Sequence, residues 1–221
     1  MNDIPLFPGT MRKNDALFMF GAAQPKPFVF TYLQDRVEVV GGPSCKCEDE
    51  VFTDRCERDG VPVRERRGGG GTVVLAPGMV ISVVVDKRPE GISATGIFNM
   101  LHDCMIGALR RREAGKIERC GISDLSINER KVLGSSLYLG TRPFLYYYQS
   151  SLMVDTDLGL LDRYLRYPPR EPQYRRGRSH RDFCTSLVEA GNHVTPEEVR
   201  ALFETDLPGY ISAAKTRCFW R

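Results

Sequence analysis

Four consecutive glycines, Gly68 to Gly71, stand between Glu65-Arg66-Arg67 and the run Thr72-Val73-Val74-Leu75. Residues without a Cβ add nothing to a core and weaken any helix or strand that contains them. The run therefore forces a loop, and the segments on either side have to fold around it. Glycines let backbone approach a ligand closely, with amides turned toward anionic oxygens. Two arginines in front and a β-branched run behind predict a loop that cradles phosphate or carboxylate and leads into a buried strand. A flexible surface hairpin is the bland reading of the same residues.

Around that loop the chain alternates short strands and helices. Residues 27–33 and 37–41 read as a strand pair around a turn at Gln34-Asp35. Residues 49–59 have helical spacing closed by Gly60. Val61 to Arg64 reads as a short strand entering the glycines. Met79 to Asp86 is almost wholly apolar, as in a strand buried on both faces. Residues 94–112 carry apolar side chains at Ile97, Leu101, Cys104 or Met105, Ala108 and Leu109, which predicts an amphipathic helix ended by Arg110-Arg111-Arg112. Strands follow near 123–127, 131–139 and 144–154, the first two joined at Asn128-Glu129-Arg130. A short helix at 157–165 precedes a Pro/Arg-rich loop, Tyr167 to Arg181. Thr195-Pro196-Glu197-Glu198 reads as a capping box opening a last helix. Hairpins without regular βαβ alternation predict an α+β layer fold, and no repeat or linker divides residues 1–221 into more than one domain.

The 221 residues are 42% hydrophobic, enough for one large core. With 31 basic and 28 acidic residues the balance is nearly even, which argues against a nucleic-acid partner. No apolar run is long enough to span a membrane, and Met1 to Lys13 lacks the apolar core of a secretory signal. A cytoplasmic protein with reduced thiols is expected from its seven cysteines. Cys45, Cys47 and Cys56 lack the second thiol or histidine pair of a structural zinc site, and no metal site is expected from them.

A second segment, Asp124 to Ser136, starts a strand at Lys131 and has Gly134 three residues on. An ammonium there suits a carboxylate or phosphate, and the glycine allows close backbone approach. Taken alone, such a lysine is an ordinary solvated hairpin charge. The two segments in order resemble the lipoate–protein ligase A family, within the biotin/lipoate ligase and octanoyltransferase superfamily. The family motif R-R-x-[ST]-G-G-G-[AT]-V matches Glu65 to Val73, with Gly69, Gly70 and Gly71 as its triplet and Arg66 as its second arginine. The lysine motif matches Ser123-Asp124-Leu125 through Arg130-Lys131-Val132-Leu133-Gly134-Ser135-Ser136. Its following H-G-T-L-L segment aligns with Gln149 to Leu158. Asn14 and Ala16 match the first-helix N-x-A.

The resemblance implies a mixed, largely antiparallel sheet flanked by helices, like class II synthetase and biotin protein ligase cores. It implies ATP- and Mg²⁺-dependent activation of lipoate to lipoyl-AMP, then transfer to a lysine of a lipoyl-carrier domain. Lys131 is the expected catalytic residue. Arg66, Gly69, Gly70, Gly71, Thr72, Val73, Asp124, Gly134, Ser135 and Ser151 are the expected ligand-binding residues. The strand 79–86 and the aromatic run Phe144 to Tyr148 are candidates to line an apolar slot, with plain sheet packing an equal reading for Tyr146, Tyr147 and Tyr148. Glu65 stands where the family has its first arginine, Leu75-Ala76 where it has H-D, Gln149-Ser150-Ser151 where it has His-Gly-Thr, and Gly42 where it has an arginine. The chain also stops without the C-terminal accessory domain of many long family ligases, and for such short ligases the resemblance implies either a separately encoded partner or a transferase. Two alternatives stay open: an ATP-independent acyltransferase with a cysteine such as Cys120 as nucleophile, or a partner-dependent acyl-adenylate-binding subunit. Cys184 occupies a family valine position. The arginines of the 170–181 loop suit docking of an acidic carrier domain or a lid over the adenylate.

Overall fold

The computed structural model describes residues 16–111 and 116–218, so the expectations for Asn14 and for Met1 to Lys13 lie outside the described residues. Among the described residues the strands are β1 (Phe28–Leu33), β2 (Glu38–Gly41), β3 (Val63–Glu65), β4 (Val73–Leu75), β5 (Met79–Lys87), β6 (Ile117–Cys120), β7 (Asp124–Ile127), β8 (Arg130–Leu139) and β9 (Leu145–Met153). The α-helices are α1 (Ala16–Ala23), α2 (Cys47–Glu50), α3 (Thr53–Asp59), α4 (Ala94–Arg110), α5 (Gly159–Tyr164), α6 (His180–Phe183) and α7 (Pro196–Cys218). A six-stranded antiparallel sheet has the order β1-β5-β9-β8-β7-β6, and a smaller sheet has the order β3-β2-β4.

β5 explains the layering. Its first eight residues are all buried, so it needs apolar cover on both faces and a partner on each edge. On one face the side chains of Val80 and Val84 join a core with α4 and α7. On the other, Met79 and Ile81 pack with the small sheet and α5, while Val83 and Val85 pack with Phe18 of α1. The demand of β5 for an edge partner corrects the expected pairing of residues 27–33 with 37–41. β1 lies along β5, Phe28 opposite Val85 through Leu33 opposite Val80, and β2 belongs to the small sheet. The backbone crosses between layers at Gln34, whose amide donates to the Met79 carbonyl at 3.0 Å.

Other boundaries follow local chemistry. The helix expected over 49–59 is two helices, because Val51 is extended and bridges Leu165 while the Phe52 amide donates to the Tyr164 carbonyl. Gly60 closes α3 in the left-handed region, with φ 67°. Ser93 caps α4 by accepting from the Gly96 amide at 3.1 Å. The capping box at α7 is present: the Glu198 amide donates to Thr195 Oγ1, and the Thr195 amide donates to the Glu198 carboxylate. Asn128 and Glu129, with φ 50° and 58°, form the tight β7–β8 connection. β6 was not expected. It ends at Cys120, which therefore sits on an edge strand rather than in a loop.

Candidate active site

A fault in the β7–β8 ladder aims Lys131. Ser126 faces Lys131 but Leu125 faces Leu133, so Val132 is an extra residue on β8. In a regular strand, residues three apart point to opposite faces. The bulge reverses that parity and re-aims the side chain. Lys131 thus shares a face with Gly134, and a Cβ built on Gly134 would lie 2.7 Å from Lys131 Nζ. Gly134 is bare because the lysine stem occupies the space. The ammonium is held by Asp124 Oδ1 at 2.8 Å. Tyr174, from a 3-10 turn at Gln173–Arg175, donates to the other oxygen of Asp124 at 2.9 Å. Burial, then the Asp124 charge, hold the Tyr174 phenol well above its ordinary pKa, so it stays a donor.

The glycine loop lies between β3 and β4, and its carbonyls point inward. The buried Arg66 guanidinium donates to the carbonyls of Gly69 at 3.0 Å, Gly71 at 2.8 Å and Val40 at 3.0 Å. Cys45 Sγ donates to the Gly70 carbonyl at 3.4 Å. A trans peptide sets its N–H opposite its C=O. With the Gly69 and Gly70 carbonyls drawn inward, the amides of Gly70 and Gly71 therefore turn outward, and both residues are exposed. Glu50 accepts from the Thr72 amide at 3.1 Å and its hydroxyl at 2.7 Å, which fixes the loop exit. Burial pushes the Glu50 pKa up, but these bonds outweigh it and hold the carboxylate ionised.

Loop and lysine meet on one strip of β8. Gly68 rests on Ser136, whose Oγ would be 2.7 Å from a Cβ at Gly68, and the Gly69 amide donates to the Leu137 carbonyl. Gly134 and Ser136 are two residues apart on the same face, about 7 Å along the strand. The ammonium and the glycine loop thus stand side by side over the strip. Its floor continues sideways through Ser151 and Gln149 on β9, Ile81 and Val83 on β5, and Tyr32 and Phe30 on β1. Phe28, Phe30 and Tyr32 form a stacked ladder with centroids 6.5 Å and 5.6 Å apart. A cationic end with outward amides, joined to an aromatic and aliphatic floor, suits an acid with an apolar tail.

Several expected residues lie elsewhere. Ser135 faces the opposite side of the sheet: its Oγ donates to the Ser123 carbonyl at 2.7 Å and lies 3.0 Å from His102 Nε2 on α4. Arg66 and Thr72 direct their polar groups into the loop's own support, and Val73 pairs with Val40 in the small sheet. In this geometry the four residues position the loop and the lysine strand. Tyr146, Tyr147 and Tyr148 are core residues at 0–1% exposure, so they line no open slot. Lys131, Asp124, Gly134 and Ser151 lie together along the strip, and Gly69 meets it at Leu137, with Gly70 and Gly71 next in the loop. Cys184 is buried, and burial pushes its thiol up to about 11, which suits packing rather than nucleophilic attack. In the 170–181 loop, Arg176 and Arg181 pair with Glu129 and Glu189, while the buried Arg175 lies between the rings of Tyr167 and Phe183. Sequence reasoning missed Glu50, His102, Tyr174 and the β1 ladder, because each acts through a contact distant in the chain. A separate cavity of about 550 Å³ lies behind the loop, lined by Cys45, Cys47, Val51, Val63, Glu65 and Thr72 among others.

A model of the lipoyl protein ligase A/B catalytic domain matches residues 11–207. The chain belongs to this family. It is similar to lipoate-protein ligase A subunit 1 of Thermoplasma acidophilum, with 23% identity over 79% of this chain and 68% of that one. Its fold is that of a bi-partite lipoate protein ligase from the same organism, solved with its E2 lipoyl domain as part of an archaeal lipoylation system. The TM-score is 0.74 at 23% identity, covering 92% of this chain and 76% of that one. A lipoate-protein ligase A bound with ATP superposes with a TM-score of 0.72 at 21% identity, covering 92% of this chain and 78% of that one. A candidate lipoate protein ligase of T. acidophilum, with bound lipoic acid, gives 0.69 at 21% identity, covering 86% and 73%. The lipoyl protein ligases are enzymes, and this chain carries their catalytic fold. No helix among the described residues is long and apolar enough to cross a membrane.

Proposed function

We propose that this chain is the catalytic domain of an ATP-dependent lipoate–protein ligase, working in the cytoplasm on a lipoyl-carrier domain. The observation that carries the reading is the shared strip on β8, where the Lys131 ammonium and the outward amides of the glycine loop flank a bare backbone. Attack of the lipoate carboxylate on the α-phosphorus of ATP forms lipoyl-AMP and releases pyrophosphate. Negative charge builds on the phosphoryl oxygens during that step. Lys131 and the amides of Gly70 and Gly71 supply preorganised donors for it, where such donors lower a barrier most. The lipoyl chain lies along the partly exposed rings of Phe30 and Tyr32. A carrier lysine then attacks the acyl carbon, and AMP leaves.

ATP fits the strip as an anion facing an ammonium and free amides. Mg²⁺ does not fit a protein cage here: among the described residues no three His, Cys, Asp or Glu side chains converge, and Asp124 already serves Lys131 and Tyr174. A separately encoded subunit is proposed by analogy with the bi-partite relative.

The test incubates the pure chain with lipoate, MgATP and an apo lipoyl domain, and follows the mass of the domain. A lipoyl mass increase that requires ATP, and that Lys131→Ala removes, is expected. Transfer only from an acyl-carrier thioester, blocked by Cys120→Ser, overturns the ligase reading in favour of a transferase. Absence of transfer with lipoyl-AMP still bound assigns the chain an adenylate-binding role instead.

A further inference from the structure

Tyr174 belongs to the 167–181 loop, far in sequence from both site segments, yet its hydroxyl reaches the Asp124 carboxylate that touches Lys131. The loop is clamped over the β6–β7–β8 end of the sheet. Arg176 Nη2 pairs with the Glu129 carboxylate at 3.1 Å, and Arg178 Nη2 donates to the carbonyls of Glu129 at 2.9 Å and Tyr174 at 2.8 Å. Gly121, in the left-handed region at φ 58°, lies against the Tyr174 ring, where a Cβ would be 3.5 Å from it. On its other side the ring packs on Phe183, with centroids 5.0 Å apart. These contacts leave the hydroxyl one place to point.

We infer that Tyr174 is a positioning residue for the reaction: by holding Asp124 Oδ2 it fixes the carboxylate whose Oδ1 orients the Lys131 ammonium toward the glycine loop. This rests on the reading of Lys131 given above. Asp124 is 5% exposed, so a lost donor is not replaced by bulk water. With Tyr174 in place, one oxygen is occupied and the other is free for a single contact to Lys131. Without it the carboxylate rotates to share both oxygens with the ammonium, drawing Lys131 away from the phosphoryl oxygens. Since Lys131 acts where charge develops, the loss falls on the chemical step rather than on substrate binding.

The experiment measures kcat and KM for ATP and lipoate in lipoyl transfer, for Tyr174→Phe, Asp124→Asn, the double variant and Lys131→Ala. Tyr174→Phe keeps the ring and removes only the hydroxyl. Its kcat is expected to fall about tenfold, as for loss of one hydrogen bond to a charged group, with each KM within about twofold. In the Asp124→Asn background the same change is expected to have no further effect, because the two residues act as one unit. Additive losses in the double variant or unchanged kcat in Tyr174→Phe overturn the positioning role while an inactive Lys131→Ala leaves the proposed function standing. Full activity in Lys131→Ala overturns the proposed function itself.

Discussion

Gly134 and Lys131 define what a single atom can do in this protein. A methyl group at 134 collides with the far end of a flexible chain, not with backbone. Gly134→Ala is therefore expected to fold with stability within about 1 kcal/mol of the parent while its ammonium is displaced. Adenylation is expected to fall at least about tenfold with thermal midpoint nearly unchanged; a matching fall in both signals places Gly134 in the scaffold instead. His102 makes a second residue-scale case. It is 1% exposed, between the rings of Phe98 and Tyr148, and burial pushes its imidazole from the ordinary 6.5 down to about 4. Between those values the unfolded chain binds a proton that the folded chain does not. Stability is thus lost as pH falls from 6.5 toward 4, by about 3 kcal/mol in all. Denaturant midpoints across that range should show this slope, and His102→Gln should flatten it.

At the scale of elements, the glycine loop is shaped by what lies behind it. Arg66, Cys45 and Glu50 gather its carbonyls and its exit, and these bonds turn two amides outward. Gly42 makes the arrangement possible, since a Cβ there would lie 2.2 Å from the Gly70 carbonyl oxygen. Backbone cannot yield as a side-chain tip can. Gly42→Ala is expected to cost about 2 kcal/mol, lowering the thermal midpoint by roughly 5 °C, and to weaken ATP binding as the loop shifts. An unchanged midpoint with unchanged ATP affinity, read by calorimetry, refutes this. The strand holding Lys131 is likewise set by an element-scale feature, the bulge at Val132. Sequence spacing alone puts Lys131 and Gly134 on opposite faces.

For the whole molecule, the large sheet is a partition: α4 and α7 close one side, and the site occupies the other. α7 is tied to β5 by a buried ion pair, Lys215 Nζ to Asp86 Oδ2 at 2.7 Å, with Asp86 at 0% exposure. Removing one partner of such a pair strands the other charge. Lys215→Met is expected to cost about 3 kcal/mol and to lower the thermal midpoint by roughly 10 °C, with little change in KM. A midpoint within about 2 °C of the parent would show that α7 is held by its apolar contacts with α4 and the sheet instead.

Local patterns in the chain were enough to specify β5, α4, the β7–β8 turn and the α7 capping box, since each depends on neighbours in sequence. The ordered glycine and lysine segments were enough to indicate the family, because chemistry on an activated acid needs amides and an ammonium whatever surrounds them. The partner of β1, the split at Val51, the inward aim of Arg66 and Thr72, and the opposite face of Ser135 were decided only in three dimensions. So was the reach of Tyr174 to Asp124. These depend on which side of a strand a residue faces and on which distant group fills the space there, and one inserted residue in a ladder exchanges the two sides.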